Sequence, residues 1–524
     1  MSFPIVFNVP SSNLAGLLGI EPLPLVADKR PFRQLEYILQ YVRKLGCSVI
    51  LVEEEYIDRD YMQDHSAFYA ASFAKYPPVC RRMHFFREVN KDRISKTLQK
   101  VACRGQKGRN AYETACKKFS REKYLGFSVV KPLPGSPVGR TVLRTYPEEE
   151  VGIEHIRCFE PTREYITHLL GVELTVRGLG FQQQDQGVSA CATTAVWSSL
   201  QKLRDFEDVA AATPAQITAG ASRFALPYGR SLPSEGLSLD QMCQAIHALG
   251  ISPNLIRVNT FWQARNILYS AGVSGIASIL IIVNPKNNAR HAVAAVGLKV
   301  RKDHGITLKL REKKEITFLG DARWIDDLSG DLMGIYVHDD RLGPYVTTKF
   351  EERKFPERGT KRTRCYPCLV IDEWGQEVPW VVTHLLMPVH GKIRTAIAQM
   401  INFSAKFAGF AYAGLKGLDI ERAAITTSTR IVRAHRYVEE LAREAAVGGT
   451  NRLSSFFEKV ELSRYVGVTT IILPKLGAYD VLVDTTGTER NAHCLAIICR
   501  GKGGEKSSIF VSDFAAQYLC KAID

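Results

Sequence analysis

The chain has no long apolar run. Its longest candidate, Ile276 to Val283, is strand-sized, far short of the roughly 18 residues expected of a membrane-spanning helix. The opening Met1-Ser2-Phe3-Pro4-Ile5 lacks a basic segment followed by an apolar core, so no secretory signal is read there. These absences predict a cytoplasmic protein with no membrane partner. A disulfide framework is missing too: the twelve cysteines are scattered, at 47, 80, 103, 116, 158, 191, 243, 365, 368, 494, 499 and 520. Many sit in apolar surroundings, where a reduced thiol packs as a small hydrophobe. Only Cys365-Tyr-Pro-Cys368 has a ligand-like spacing, and no second pair or neighbouring histidine completes a zinc site. It reads as a strand start, and neither metal nor cofactor is expected. There is no repeat of fixed period.

What is present is ordinary in bulk and uneven in charge. The 524 residues are enough for two or three domains with real cores. A hydrophobic content of 45% and a charged content of 23% belong to a globular protein. The net charge of +15 is concentrated: Arg81 to Arg140 holds 16 Lys/Arg against 4 Asp/Glu, and Arg353 to Arg364 six against one. Such patches suit an acidic protein partner or nucleic acid. No aromatic-interleaved platform or nucleic-acid module accompanies them, and a solvated basic face is the preferred reading.

Four segments follow from the pattern: a mixed α/β domain with a basic face (1–165), a central domain (166–350), a basic linker (351–364) and a C-terminal α/β domain (365–524). In the first, Leu35, Ile38, Leu39 and Val42 have helical spacing, and Ser48 to Val52 is strand-like. Glu53 to Tyr61 reads as the start of a polar helix, and Asn90 to Phe119 as a long basic helical region. His84, beside Phe85 and Phe86, reads as a packed histidine. The acids Glu53, Glu54, Glu55, Asp58 and Asp60 lack a glycine-pivoted loop and read as a helix-start preference. The central segment has helices first and strands afterwards, an α+β order without βαβ alternation. In the last segment a strand opens after Pro379, Lys392 to Phe407 and Arg430 to Ala445 look helical, and His493 loosely repeats the placing of His291.

The centre of interest is Gln182-Gln183-Gln184-Asp185-Gln186-Gly187-Val188-Ser189-Ala190-Cys191. A polar, turn-prone stretch ends at a cysteine where a helical run begins. Unpaired backbone N–H groups and the positive end of the helix dipole favour thiolate there, which suits a nucleophile. One hundred positions on, His291 heads the apolar strand His291 to Val300. Further on, Ile335-Tyr336-Val337-His338-Asp339-Asp340 is a short strand ending in two acids.

This order resembles that of the papain-like cysteine peptidases, with the smaller bacterial, bacteriocin-processing members nearest in scale. The resemblance covers the central third of the chain. It implies a two-lobe papain-like fold, a helical lobe carrying the cysteine and a β-lobe carrying the histidine, flanked by the N- and C-terminal domains. It also implies Cys191 as nucleophile, His291 as base, Gln186 as side-chain donor to the oxyanion and Asp339 as the acid that orients the imidazole. Gln184 and Asp340 stand in reserve, because Gln186 lies one residue nearer the cysteine than the family spacing. Ala192 and Val188 depart from the family's aromatic and disulfide positions. The expected substrate is a protein or peptide, cut at a peptide or isopeptide bond. Two alternatives stay open: acyl transfer from the same thioester, and a regulatory protein with a vestigial site.

Overall fold

The alternating and doubly apolar strands dominate the tertiary structure. We describe it from a computed structural model covering residues 4–8, 32–101, 106–119, 122–149, 152–185, 190–205, 209, 211–223, 236–301, 325–356, 362–415, 425–448, 462–473, 477–487 and 494–500. The first part contains β1 (Ile5–Asn8), α1 (Arg33–Lys44), β2 (Cys47–Tyr56), α2 (Arg59–Ala67), β3 (Cys80–Arg87), α3 (Lys91–Val101), α4 (Gln106–Lys118), β4 (Tyr124–Val130) and β5 (Val138–Leu143). The strands pair antiparallel in the order β1-β2-β3-β4-β5. On α1, Leu35, Ile38, Leu39 and Val42 form the buried stripe that their spacing predicts. Each such side chain contributes about 1.5–3 kcal/mol on full burial. The acidic stretch read as a helix start is instead the end of β2, and the helix begins only at Arg59, capped by Asp58. The long basic region is two helices, α3 and α4.

Next come β6 (His155–Cys158), the hairpin β7 (Arg163–Leu169) and β8 (Val172–Gly178), α5 (Cys191–Leu200), α6 (Pro214–Ala221), α7 (Leu239–Ala248), β9 (Ile251–Arg257) and α8 (Phe261–Val273). The strands that follow are β10 (Ile279–Val283), β11 (Arg290–Arg301), β12 (Ile325–Asp327), β13 (Leu332–Asp339), β14 (Gly343–Pro356), β15 (Thr363–Glu373) and β16 (Gln376–His390). Neighbours pair antiparallel along β10-β11-β13-β14-β15-β16, and β16 returns to pair with β10, closing a six-stranded barrel. The strand near Pro379 is longer than expected and runs through the proline, opposite Val370. Strands β9 and β6 extend the sheet from β16 and β11.

The last part holds α9 (Ile397–Leu415), β17 (Ile425–Arg433), α10 (Ala434–Gly448), β18 (Tyr465–Leu473), β19 (Gly477–Asp484) and β20 (Cys494–Arg500). Its sheet runs β12-β17-β18-β19-β20, with β12 joining in parallel. The run from Arg430 is strand up to Arg433 and helix only from Ala434.

This architecture corrects the expected fold class. The protein is mostly β, with a closed barrel and several antiparallel sheets, rather than an α+β two-lobe papain arrangement between α/β domains. The physical reason lies in residues 343–390. Their long strands complete the barrel, so residues 351–356 and 363–364 belong to the β14–β15 hairpin and the expected break near 165 falls inside β7. Barrel strand β11 is buried on both faces. Val293 and Ala295 face one core with α8 and α9, while Ala294 and Val296 share a second core with α1 and the N-terminal sheet. Ala292 packs against α5–α7. Among the described residues, no helix is long and apolar enough to cross a membrane.

Candidate active site

Cys191 is the first residue of α5 and is half-buried, within reach of solvent. The rest of α5 is buried, Trp197 included, so the helix is held rigidly by its own sides. Its N-cap is Ala190, which makes no side-chain cap. The next three helices differ: Thr213, Ser238 and Thr260 each accept a hydrogen bond from the N3 amide. A missing cap costs a helix about 0.5–2 kcal/mol. At α5 it leaves the first-turn amides without a side-chain acceptor from the N-cap, in a position to meet an anion beside the thiol.

His291 is the second residue of β11 and pairs with Ile282 of β10. By strand alternation it shares the face of Val293 and Ala295; Asp339, the last residue of β13, shares that of Ile335 and Val337. Since β11 and β13 are antiparallel neighbours, both side chains reach the same end of the barrel. Nε2 of His291 lies 3.1 Å from Oδ1 of Asp339 and 3.6 Å from Oδ1 of Asp340. Asp339 is therefore the closer partner, with Asp340 beside it. Cys191 is close enough to the ring to act on its charge. With Nε2 turned to Asp339, Nδ1 is the nitrogen left for the thiol. Cys191, His291 and Asp339, the three residues that the resemblance implies, thus come together.

The electrostatics follow from burial and charge. Burial alone would push the His291 imidazole down, but the charges of Asp339 and Asp340, with the hydrogen bond that the ring donates to Asp339 and the neighbouring Cys191, raise it to about 10. Burial pushes the Asp339 carboxyl up, yet His291 and Arg341 hold it well below the usual carboxylate range. Asp340 is raised to about 6 by burial and by Asp339, against the pull of His291 and Arg341. At neutral pH the ring is an imidazolium facing a carboxylate.

Three residues not read from the sequence complete the arrangement. Arg341 donates from Nη2 to Oδ2 of Asp339 at 3.0 Å and from its backbone N–H to Oδ1 at 2.9 Å. Glu373 accepts from Arg341 at 3.2 Å and from the Trp380 indole at 2.8 Å. Trp380 lies against both Arg341 and His291, with ring centroids 6.0 Å apart in the latter pair. The adjacent charges Asp339-Asp340-Arg341 were the only sequence signal for this cluster. The Glu373 and Trp380 contacts depend on strand register.

Gln186 lies outside the described residues, and Gln184 is exposed. Gln183 is buried and accepts from the Val138 amide at 3.2 Å. Gln182 is buried with its Nε2 unpaired. The stretch ending at Asp185 is anchored by a buried ion pair, Lys131 Nζ to Asp185 Oδ2, at 3.3 Å.

Other sequence candidates resolve differently. His291, Asp339 and Asp340 bring potential ligand atoms within 4.8 Å of one another. The Arg341 guanidinium already occupies the Asp339 carboxylate, and a cation there would meet its charge. Cys365 and Cys368 lie three apart on β15 and so face opposite sides of it; burial pushes the Cys368 thiol up to about 12. His84 is fully buried between the Tyr124 hydroxyl at 2.8 Å and Glu53 at 3.0 Å, a satisfied core histidine held neutral by burial. The acidic cluster is paired: Glu53 with Arg82, Glu54 with Arg81, Asp58 with Arg140. His338 packs on Phe181 and Tyr345, with its pKa pushed down to about 3 by burial. His493 lies outside the described residues. The basic residues Lys91, Arg93, Lys96, Lys100, Arg109 and Lys117 are exposed on α3 and α4.

In comparisons with known proteins, no family model and no curated protein sequence matches this chain.

Proposed function

We propose that the protein is a cysteine peptidase that hydrolyses a peptide or isopeptide bond through a Cys191–His291–Asp339 thioester mechanism. The observation that carries this is the half-buried thiol at an uncapped helix start, beside an imidazole whose Nε2 lies 3.1 Å from a fully buried carboxylate. The proposal concerns the chemistry and not the fold, which is its own.

In the first step the Cys191 thiolate attacks the carbonyl carbon, and the C=O π pair moves onto oxygen. The Cys191 backbone N–H and the side chain of Gln186 stabilise that oxyanion, each donor being worth about 2.7–4 kcal/mol. The C–N bond breaks as His291 passes a proton to the leaving amine, and a thioester remains. His291 then takes a proton from water, hydroxide adds to the thioester, and collapse releases the acid and the thiolate. Asp339 holds the ring and the positive charge it carries. A reducing compartment such as the cytoplasm would keep the Cys191 thiol free for this chemistry.

The test is iodoacetamide modification near neutral pH, located by peptide mass spectrometry, with cleavage of a peptide library assayed in parallel. Modification selective for Cys191, and cleavage lost in Cys191→Ala, are expected. An unreactive Cys191 at pH 7 would overturn the proposal.

A further inference from the structure

We infer that Arg341 is a positioning residue of the proposed reaction, which locks the Asp339 carboxylate and through it aims the His291 ring at Cys191. This rests on the peptidase proposal above. Asp339 Oδ2 accepts from Arg341 Nη2 at 3.0 Å, and Oδ1 from Nε at 3.3 Å, a two-pronged contact that stops the carboxylate rotating. The Arg341 backbone N–H adds a third bond to Oδ1 at 2.9 Å. The guanidinium is itself held from behind. Nη2 also donates to Glu373 Oε1, Glu373 is fixed by the Trp380 indole, and the guanidinium carbon lies 4.9 Å from the Trp380 ring centre. Three successive pieces of barrel, the β13–β14 turn, the end of β15 and the first part of β16, thus converge on one guanidinium.

Arg341 also acts through charge. Its Nε is 3.1 Å from His291 Nε2. When the ring is protonated there, both N–H groups must share Oδ1 of Asp339, and the two cations repel. The groups facing His291 are Cys191 from α5, Asp339, Asp340 and Arg341 from the turn, and Trp380 from β16; Glu373 acts on Arg341, and Tyr37 of α1 lies near Asp339. Arg341 is the one permanent cation in this set. Its removal leaves the imidazolium opposite uncompensated carboxylates and makes it a weaker acid. Lysine restores the charge but not the planar fork.

Geometry and charge therefore separate in two variants. The measurements are the pH profile of iodoacetamide reaction at Cys191, which needs no substrate, and kcat and KM on a cleaved peptide. In Arg341→Gln the higher-pH transition, where the imidazolium loses its proton, is expected to move up by about one pH unit, tenfold in the ionisation constant. In Arg341→Lys it is expected to stay in place while kcat falls about 10²-fold at unchanged KM, the scale of a misaimed catalytic group. Glu373→Gln, at a half-buried position that removes only the outer anchor, is expected to lower kcat in the same sense. Arg341 variants that lose thermal stability but keep the wild-type profile and kcat would show a merely structural residue and overturn the inference. A wild-type profile with no second transition would instead overturn the peptidase proposal, and this inference with it.

Discussion

At the scale of the residue, the proposed site is a charge arrangement as much as a set of nucleophile and base. His291→Ala is expected to lower kcat by about 10²–10⁴-fold, the usual contribution of a general acid–base, measured on the peptide found for the wild type. Asp339→Asn tests the electrostatics directly. Its carboxylate is the first charge raising the His291 pKa against burial, so the variant should lose the ring proton at a lower pH than wild type in an NMR titration. An unchanged titration would remove Asp339 from the site. The linkage to stability has a definite sign. Asp339 is held below its ordinary 3.8, so its contribution is present above that pH and is lost as pH falls through the lower native value. His291 is raised from 6.5 to about 10, so its contribution is complete below 6.5 and is lost as pH rises towards 10. Asp340 runs the other way: raised to about 6, it costs stability as pH climbs from 3.8 to 6. Asp340→Asn should therefore flatten the fall in thermal midpoint between about pH 4 and 6; a variant as steep as wild type there would deny the carboxylate its buried, proton-binding state.

At the scale of the element, α5 gives up its own capping. Ala190 stands where Ser, Thr, Asp or Asn would stabilise the helix, as Thr213, Ser238 and Thr260 do for α6, α7 and α8. Ala190→Asp should raise stability by about 0.5–2 kcal/mol in chemical denaturation. It should also lower Cys191 reactivity, because its carboxylate takes the first-turn amides and places negative charge beside the thiolate. Greater stability with undiminished alkylation would show that those amides do not serve the thiol. The turn after β13 has a comparable constraint. Gly343 has φ +153°, and a Cβ there would fall 2.2 Å from a ring carbon of Tyr37, so α1 presses directly on the turn that carries Asp340 and Arg341. Gln34 of the same helix donates to the Asp340 carbonyl at 3.3 Å.

At the scale of the whole molecule, the N-terminal sheet is structurally part of the site. Phe181 bridges to Thr141 of β5, Gln183 pairs with Val138, and Lys131 meets Asp185 with side chains 3% and 1% exposed. These contacts hold the approach to the Cys191 turn, while α1 holds the Asp339 turn from the other side. On α2, Asp64 and Gln63 receive the Ala215 amide and the Thr213 hydroxyl, docking the helices that pack around α5. Removing one partner of a buried ion pair leaves an uncompensated charge and costs about 3–5 kcal/mol. Lys131→Met is expected to destabilise by that order in urea denaturation, and Lys131→Met with Asp185→Leu to recover most of it. Equal losses in the single and double variants would mean the pair is not coupled.

The sequence by itself determined what is local. A polar stretch running into an apolar helix marked Cys191, and a histidine at the head of an apolar run marked His291; the strand ending in two acids left Asp339 and Asp340 open, with Asp339 preferred on the resemblance. Amphipathic spacing likewise marked α1, because its buried stripe is written in consecutive turns. Only the tertiary structure decided what depends on register and closure. β16 pairs with β10 across about one hundred residues, and β12 joins β17 in parallel, neither of which leaves a local pattern. Barrel closure turned the expected two-lobe α+β fold into a mostly β one. It also brought Glu373 and Trp380 onto Arg341. Hydrophobic periodicity specifies which face of a strand is buried, whereas long-range pairing specifies which strand lies beside it, and the charges around His291 are set by the second.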